Sequence, residues 1–363
     1  MKIIGFSLFM LNVPLVTPFK TALRTVTDVQ DIVLRVETDT GQTGYGEAPP
    51  TAVITGDTHG SIIEALRAYI MPLLIGKDIT DLEDITQSIQ RCMVHNSSAK
   101  AAAEIAIYDL YAQNKNQPLY QVLGGGTPQL CTDLTISVDT VDKMVADSLH
   151  AIDQGYETLK IKVGKGGPED IERIKAIHAV AKGRARLRLD ANQGWSAAET
   201  IQILETLEGT GVELEFIEQP VKADDIDGLA TIKRHVSTPV MADESAFNAA
   251  QVRALLARDA VDIINIKLMK TGGISGALQI IDIAAAHEVP CMIGCMLESS
   301  ISVAAAAHLA VARAETITLI DLDGPSLCAF DPVTGGAHFD GPKITLSDAP
   351  GLGIRAVKNL TAI

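Results

Sequence analysis

The chain has 363 residues, of which 47% are hydrophobic, and a formal net charge of −15. That length fits two domains, one of them barrel-sized, and the acidic excess repels phosphate, which argues against nucleic acid or anionic membrane as partner. The cysteines, Cys92, Cys131, Cys291, Cys295 and Cys328, are odd in number and lack zinc-type spacing, as expected of reduced thiols in a cytoplasmic protein.

Met1–Val16 begins like a short signal peptide, but Asn12 and Pro14 interrupt the apolar run and no small-x-small cleavage site follows. A first β-strand is the better reading, and no later run is long enough to span a bilayer. Lys2–Val16 and Val29–Asp39 alternate like antiparallel strands, with a turn at Thr40-Gly41-Gln42 before Gly44-Tyr45-Gly46-Glu47. Helical spacing appears at Ser61–Ile70 and Ala99–Gln113. Residues 1–125 therefore read as an α+β domain.

From Leu134 onward, apolar runs of strand length are predicted at Leu134–Val138, Thr158–Val163, Leu187–Asn192, Leu214–Gln219, Pro239–Asp243, Asp262–Leu268, Pro290–Met296 and Thr318–Asp323. Alanine- and leucine-rich helical stretches separate them. This alternation predicts an α/β fold, a (β/α) barrel of about eight parallel strands over residues 126–330. Gly324-Pro325 after the last strand predicts an irregular final helix. Residues 331–363 are expected to return to the first domain.

Charged residues punctuate the barrel at intervals of 24 to 28 residues, one strand–helix unit. Lys160 and Lys162 end the second strand, Asp190 the third, Glu218 the fourth, Asp243 the fifth and Lys267 the sixth. Strand ends converge at a barrel mouth, so these groups are expected to meet. A lone buried lysine or aspartate is readily explained as a structural ion pair; the repeated placement is not. Asp190, Glu218 and Asp243 would repel one another without a hard divalent cation, and Mg²⁺ favours such oxygen ligands. Glu244, next to Asp243, should face away if strand alternation continues. Lys162 and Lys267, on strands two and six of eight, would flank a bound carboxylate substrate. Each could exchange a proton at its α-carbon from one face, which predicts a racemase or epimerase. Lys160 beside Lys162, together with the metal, is expected to lower the lysine pKa.

Together, Lys160-Ile161-Lys162, Asp190-Ala191-Asn192, Glu218-Gln219-Pro220, Asp243-Glu244-Ser245 and Asn265-Ile266-Lys267 resemble the barrel-end motifs of the enolase superfamily, muconate-lactonising subgroup. The likeness runs along the whole chain. It implies that the first domain caps the barrel, that Mg²⁺ is the cofactor on Asp190, Glu218 and Asp243, and that Lys162 and Lys267 are the catalytic bases. Asp321-Leu322-Asp323 on strand eight is similar in position to the D-x-D of dipeptide epimerases, which holds the substrate ammonium. Arg24, within the loop Pro18–Thr25, matches the arginine that Ala-Glu epimerases turn to the glutamate carboxylate, and Ile54–Asp57 resembles the second covering loop. Thr135, Lys160, Cys295 and Leu297 resemble substrate-lining positions.

The implied activity is Mg²⁺-dependent epimerisation of a dipeptide at its C-terminal residue, L-Ala-D-Glu to L-Ala-L-Glu, in cell-wall peptide metabolism. N-acylamino-acid racemisation and o-succinylbenzoate synthesis, from the same subgroup, stay open. A non-catalytic metal and peptide binder would have no use for the two opposed lysines. Barrels of this size often form homo-oligomers, but no stretch of sequence marks an interface.

Overall fold

Period-two alternation in the first forty residues builds a sheet in the computed structural model, which describes residues 1–363. Strands β1 (Ile3–Lys20), β2 (Thr25–Thr38) and β3 (Thr43–Ala48) pair antiparallel, with Leu8 opposite Leu34 and Ile32 opposite Ala48. One face buries Ile3, Leu8, Ile32, Leu34 and Val36 against the helices of this domain. The helix Ser97–Asn114 packs so closely on β3 that a Cβ at Gly46 would stand 1.8 Å from the Ala102 carbonyl oxygen, so only glycine fits there. The predicted helix Ser61–Ile70 is α-helical over His59–Glu64 and widens to a π turn at Ala65–Ile70. Pro72 follows and has no N–H for the carbonyl four residues back.

A short β4 (Gln129–Cys131) precedes the barrel. The barrel strands are β5 (Leu134–Ile136), β6 (Thr158–Lys162), β7 (Arg186–Asp190), β8 (Phe216–Glu218), β9 (Val240–Ala242), β10 (Ile263–Lys267), β11 (Cys291–Gly294) and β12 (Ile317–Asp321). All eight are parallel and lie in chain order. Their outward residues join the surrounding helices in one large core. Inside, Phe216, Met241, Ile263 and Met292 form an apolar floor. The register sets Lys162, Asp190 and Glu218 at one level, and Lys267, Gly294 and Asp321 at another.

No ladder joins β12 to β5. Side chains close that seam: the Leu322 N–H donates to Thr132 Oγ1 at 2.8 Å, and the Thr135 N–H to Asp323 Oδ2 at 2.7 Å. Only a four-residue helix, Gly324–Leu327, follows β12. The chain then forms β13 (Val333–Gly335), β14 (His338–Asp340), β15 (Lys343–Thr345), β16 (Ile354–Val357) and β17 (Leu360–Ala362). β15 pairs with both β14 and β4, β13 with β16, and β17 with β1, where Phe9 faces Ala362.

Two buried carboxylates fix the first domain to the barrel, each at a helix N-terminus where free N–H groups favour negative charge. Glu47 on β3 accepts from the N–H groups of Ser299 (3.0 Å) and Ser302 (3.1 Å) at the start of helix Ser300–Ala312. Glu104 accepts from the Ser275 N–H (2.8 Å) at the start of helix Ile274–Ala286, and from Gln90 (2.7 Å). Gly273, at φ 123°, makes room, since a Cβ there would lie 2.6 Å from Glu104 Oε2. No helix is long and apolar enough to cross a membrane.

Candidate active site

Parallel strands present their C-terminal residues at one end, and there the chain gathers alternating lysines and carboxylates. Lys162 Nζ lies 2.5 Å from Asp190 Oδ2, and Lys267 Nζ 2.7 Å from Asp243 Oδ2. Between them Lys160 Nζ is within 2.8 Å of Glu218, 3.2 Å of Asp190 and 2.6 Å of Asp321. Asn265 donates to Glu218 Oε1 at 2.8 Å. Asp190, Glu218 and Asp243 are fully buried beneath the lysines. In strand order, β6 and β10 are separated by β7, β8 and β9, which puts Lys162 and Lys267 on opposite sides of the mouth.

The motif residues beyond the strands hold this layer in place. Gln219, at a positive φ of 35°, accepts from the N–H groups of Asp243 (2.9 Å) and Ser245 (3.0 Å) and donates to Ser245 Oγ (2.8 Å). The Glu-Gln-Pro and Asp-Glu-Ser turns are thus one hydrogen-bonded unit. Asn192, also at positive φ, gives its N–H to Asp190 Oδ1 at 2.9 Å and its amide to Glu244.

That contact corrects the placement of Glu244. The residue does not face away: β9 ends at Ala242, so strand alternation no longer governs its direction. Its buried carboxyl is pushed up to about 8, by burial first and then by the charge of Asp243. Asp323 lies beyond its strand but faces the mouth as expected. β12 stops at Asp321, and Asp323 caps the short helix that follows, yet both aspartates line the same cavity.

Burial pushes all these carboxyls toward the neutral form. At Asp190 the opposing charges of Lys162 and Lys160 win and hold it down to about 2. At Asp243, Lys267 and Lys270 hold it well below the usual range. Glu218 is left at about 7 by burial and the charge of Asp190. Burial would lower Lys160 and Lys267, but Asp321, Glu218 and Asp190 raise the first, and Asp243 the second, above the ordinary lysine value. Lys160 does act on Lys267 in the lowering direction, but it is outweighed.

A cavity of about 40 Å³ stands above the lysines. Arg24, Thr135, Lys160, Lys162, Lys267, Cys295, Leu297, Asp321 and Asp323 all line it, with Phe19, Leu23 and Ile54 from the first domain. The residues Phe19, Arg24 and Ile54 place the loops of the first domain over this cavity as its cover. The Phe19 ring lies 5.8 Å from Lys162 Nζ. Asp31 is the carboxylate that acts on Arg24, without closing to an ion pair.

The donor set fits a hard divalent cation. Glu218 Oε2, Asp243 Oδ1, Asn192 Oδ1 and Glu244 Oε2 are buried without a hydrogen bond, and every donor is oxygen. A second acidic group, Asp133, Asp321 and Asp323, brings its ligand atoms within 4.8 Å of one another. Three of its oxygens are already engaged, by Arg188 Nη1 (2.6 Å), Lys160 (2.6 Å) and the Thr135 N–H (2.7 Å). Asp133 Oδ1 is buried without a hydrogen bond.

Reading the sequence did not single out Lys270, which is buried against Asp243, or the amide roles of Asn265 and Gln219. The last two lie inside motifs that were recognised. Lys270 has the helical spacing i, i+3 from Lys267, which is the signal that would have found it.

Residues 3–124 match the mandelate racemase / muconate lactonizing enzyme N-terminal domain, and residues 143–359 the enolase C-terminal domain-like family. The chain belongs to this mandelate racemase/muconate lactonizing group of the enolase superfamily. It is 49% identical to the L-Ala-D/L-Glu epimerase of Clostridium acetobutylicum over 349 residues, 96% of this chain and 97% of that one. It superposes with a TM-score of 0.97 on the substrate-liganded L-Ala-D/L-Glu epimerase from Bacillus subtilis, at 44% identity, covering 98% of this chain and 99% of that one. The dipeptide epimerase from Enterococcus faecalis, complexed with Mg and L-Leu-L-Tyr, superposes at 0.94 with 39% identity, covering 98% and 100%.

Proposed function

We propose that this protein is a Mg²⁺-dependent dipeptide epimerase that interconverts L-Ala-D-Glu and L-Ala-L-Glu. The observation that carries the reading is the pair of lysines, Lys162 and Lys267, facing each other across a barrel mouth whose floor is three buried carboxylates. The identity to epimerases of this substrate supports the choice of dipeptide.

Asp190, Glu218 and Asp243 would hold the cation, which supplies positive charge against the negative charge that develops on the substrate's C-terminal carboxylate. One lysine removes the α-proton of the C-terminal residue and the other returns a proton to the opposite face, so configuration inverts. Lys160, ion-paired to Asp321, keeps further positive charge beside the reacting carboxylate. Asp321 and Asp323 take the N-terminal ammonium, and Arg24 the glutamate side chain. Thr135, Cys295 and Leu297 shape the walls. All five cysteines are free, which suits a cytoplasmic setting.

Proton NMR of L-Ala-D-Glu in D₂O with Mg²⁺ tests this. The glutamate α-proton signal should disappear as L-Ala-L-Glu forms, and EDTA should stop both. Lys162→Ala and Lys267→Ala should each lower epimerisation by about 10²- to 10⁴-fold, while each keeps exchange from one epimer. Full turnover in either variant would refute the assignment of the bases. Turnover of N-acetylated dipeptide at the free dipeptide's rate would refute the role of Asp321 and Asp323.

A further inference from the structure

Lys267 is not the only lysine on Asp243. One helical turn on, Lys270 is completely buried in the short helix Leu268–Thr271. Its ammonium donates to the carbonyl oxygens of Asp243 (2.6 Å) and Asn265 (2.8 Å). It also lies 2.6 Å from Asp243 Oδ1, out of line for a hydrogen bond, and 5.8 Å from the centre of the Phe247 ring. A buried ammonium is costly unless its surroundings are arranged around it, and here two carbonyls, one carboxylate and one ring are.

We propose that Lys270 is a positioning residue: it pins the main chain and the Oδ1 side of Asp243, so that this carboxylate is presented to the cation and to Lys267. The proposal rests on the epimerase reading and deepens it. Asp243 divides its oxygens, Oδ2 to Lys267 and Oδ1 to Lys270. Lys270 also reaches the main chain of Asn265, whose side chain holds Glu218. Two of the three candidate ligands therefore depend on it. The third does not: Asp190 is held by Lys160, Lys162 and the Asn192 N–H. Losing Lys270 should disturb the Lys267 side of the mouth and spare the Lys162 side. A residue that merely stabilised the fold would weaken both sides alike.

The test uses Lys270→Met, with Lys270→Gln as a second neutral variant, and folding is checked by circular dichroism. Mn²⁺ binding, followed by electron paramagnetic resonance without substrate, should weaken about 10- to 100-fold, the usual effect of losing a group behind a ligand. In D₂O, α-proton exchange from one epimer of Ala-Glu should slow at least tenfold more than exchange from the other. Unchanged Mn²⁺ affinity would overturn the proposal, as would equal slowing of both epimers, and so would failure of both variants to fold. If the wild type exchanges neither epimer, the epimerase reading fails, and Mn²⁺ affinity alone then decides the role of Lys270.

Discussion

Glu47 on β3 and Ser302 in the first turn of a barrel helix lie 255 positions apart in the chain and meet in the interior, where Glu47 Oε2 accepts from both the N–H (3.1 Å) and the hydroxyl (2.8 Å) of Ser302. With the bond from the Ser299 N–H, one carboxylate satisfies three donors that no water reaches. Strand β3 continues toward Thr51–Thr55, and β2 begins beside Arg24, so this anchor also sets where the covering loops stand.

Glu47→Ala would leave the Ser299 and Ser302 N–H groups buried without this acceptor, while the Ser302 hydroxyl keeps Glu298. Hydrogen bonds to charged groups are worth roughly 1.5–3 kcal/mol each in net terms, with strong non-additivity, so a loss of about 3 kcal/mol in chemical unfolding is expected. Because the loops shift with the strand, KM for the dipeptide should rise more than kcat falls. A stability change below about 0.5 kcal/mol would show that the anchor is not needed.

The proposed role of Arg24 is to select the side chain at the epimerised residue. It lines the cavity and makes no ion pair within the chain, so it is free to take a carboxylate. Arg24→Met should lower kcat/KM for L-Ala-D-Glu by about 10- to 100-fold, the value of a charged hydrogen-bonded pair. It should leave an L-Ala dipeptide with an apolar C-terminal residue equal or better. Steady-state comparison of the two substrates gives the ratio, and parallel losses on both would remove Arg24 from substrate recognition.

Two acidic groups border the mouth, and metal affinity separates them. Asp243→Asn removes a carboxylate from the group whose buried oxygens on Glu218, Asp243 and Glu244 lack a hydrogen bond. Asp133→Asn alters a group already facing Arg188. Mn²⁺ binding should weaken at least about 100-fold in the first variant and change little in the second. The reverse pattern would move the cation to Asp133, Asp321 and Asp323 and leave Asp190 and Glu218 as partners of Lys160.

Much of this site was legible because barrel strands end in charge at a constant interval, so Lys162, Asp190, Glu218, Asp243 and Lys267 announce themselves. What failed was extrapolation past the strand ends. β9 stops at Ala242, β12 at Asp321, and beyond those points hydrogen bonds from Asn192 and Thr135, not alternation, aim Glu244 and Asp323. The anchors Glu47 and Glu104 reach residues 255 and 171 positions away, which no local pattern encodes. Glu104 left one trace: it is an acid inside Ala101-Ala102-Ala103-Glu104-Ile105-Ala106-Ile107, a helical run otherwise apolar all round, where a carboxylate must be buried.

That burial gives Glu104 a pH signature. Desolvation raises its carboxyl to about 7, against the lowering effect of Ser275 and Gln90, compared with about 4.5 for an unperturbed glutamate. A carboxyl whose pKa is higher folded than unfolded binds more protons in the native state. Its contribution to stability is therefore greatest below pH 4.5 and is lost as pH rises toward 7. Glu104→Gln stays neutral throughout. Measured by urea unfolding at each pH, the stability of wild type relative to this variant should fall between pH 4.5 and 7 by an amount on the order of 3 kcal/mol. A constant difference across that window would mean that Glu104 is ionised throughout it, with the N-terminal N–H groups of helix Ile274–Ala286 outweighing desolvation.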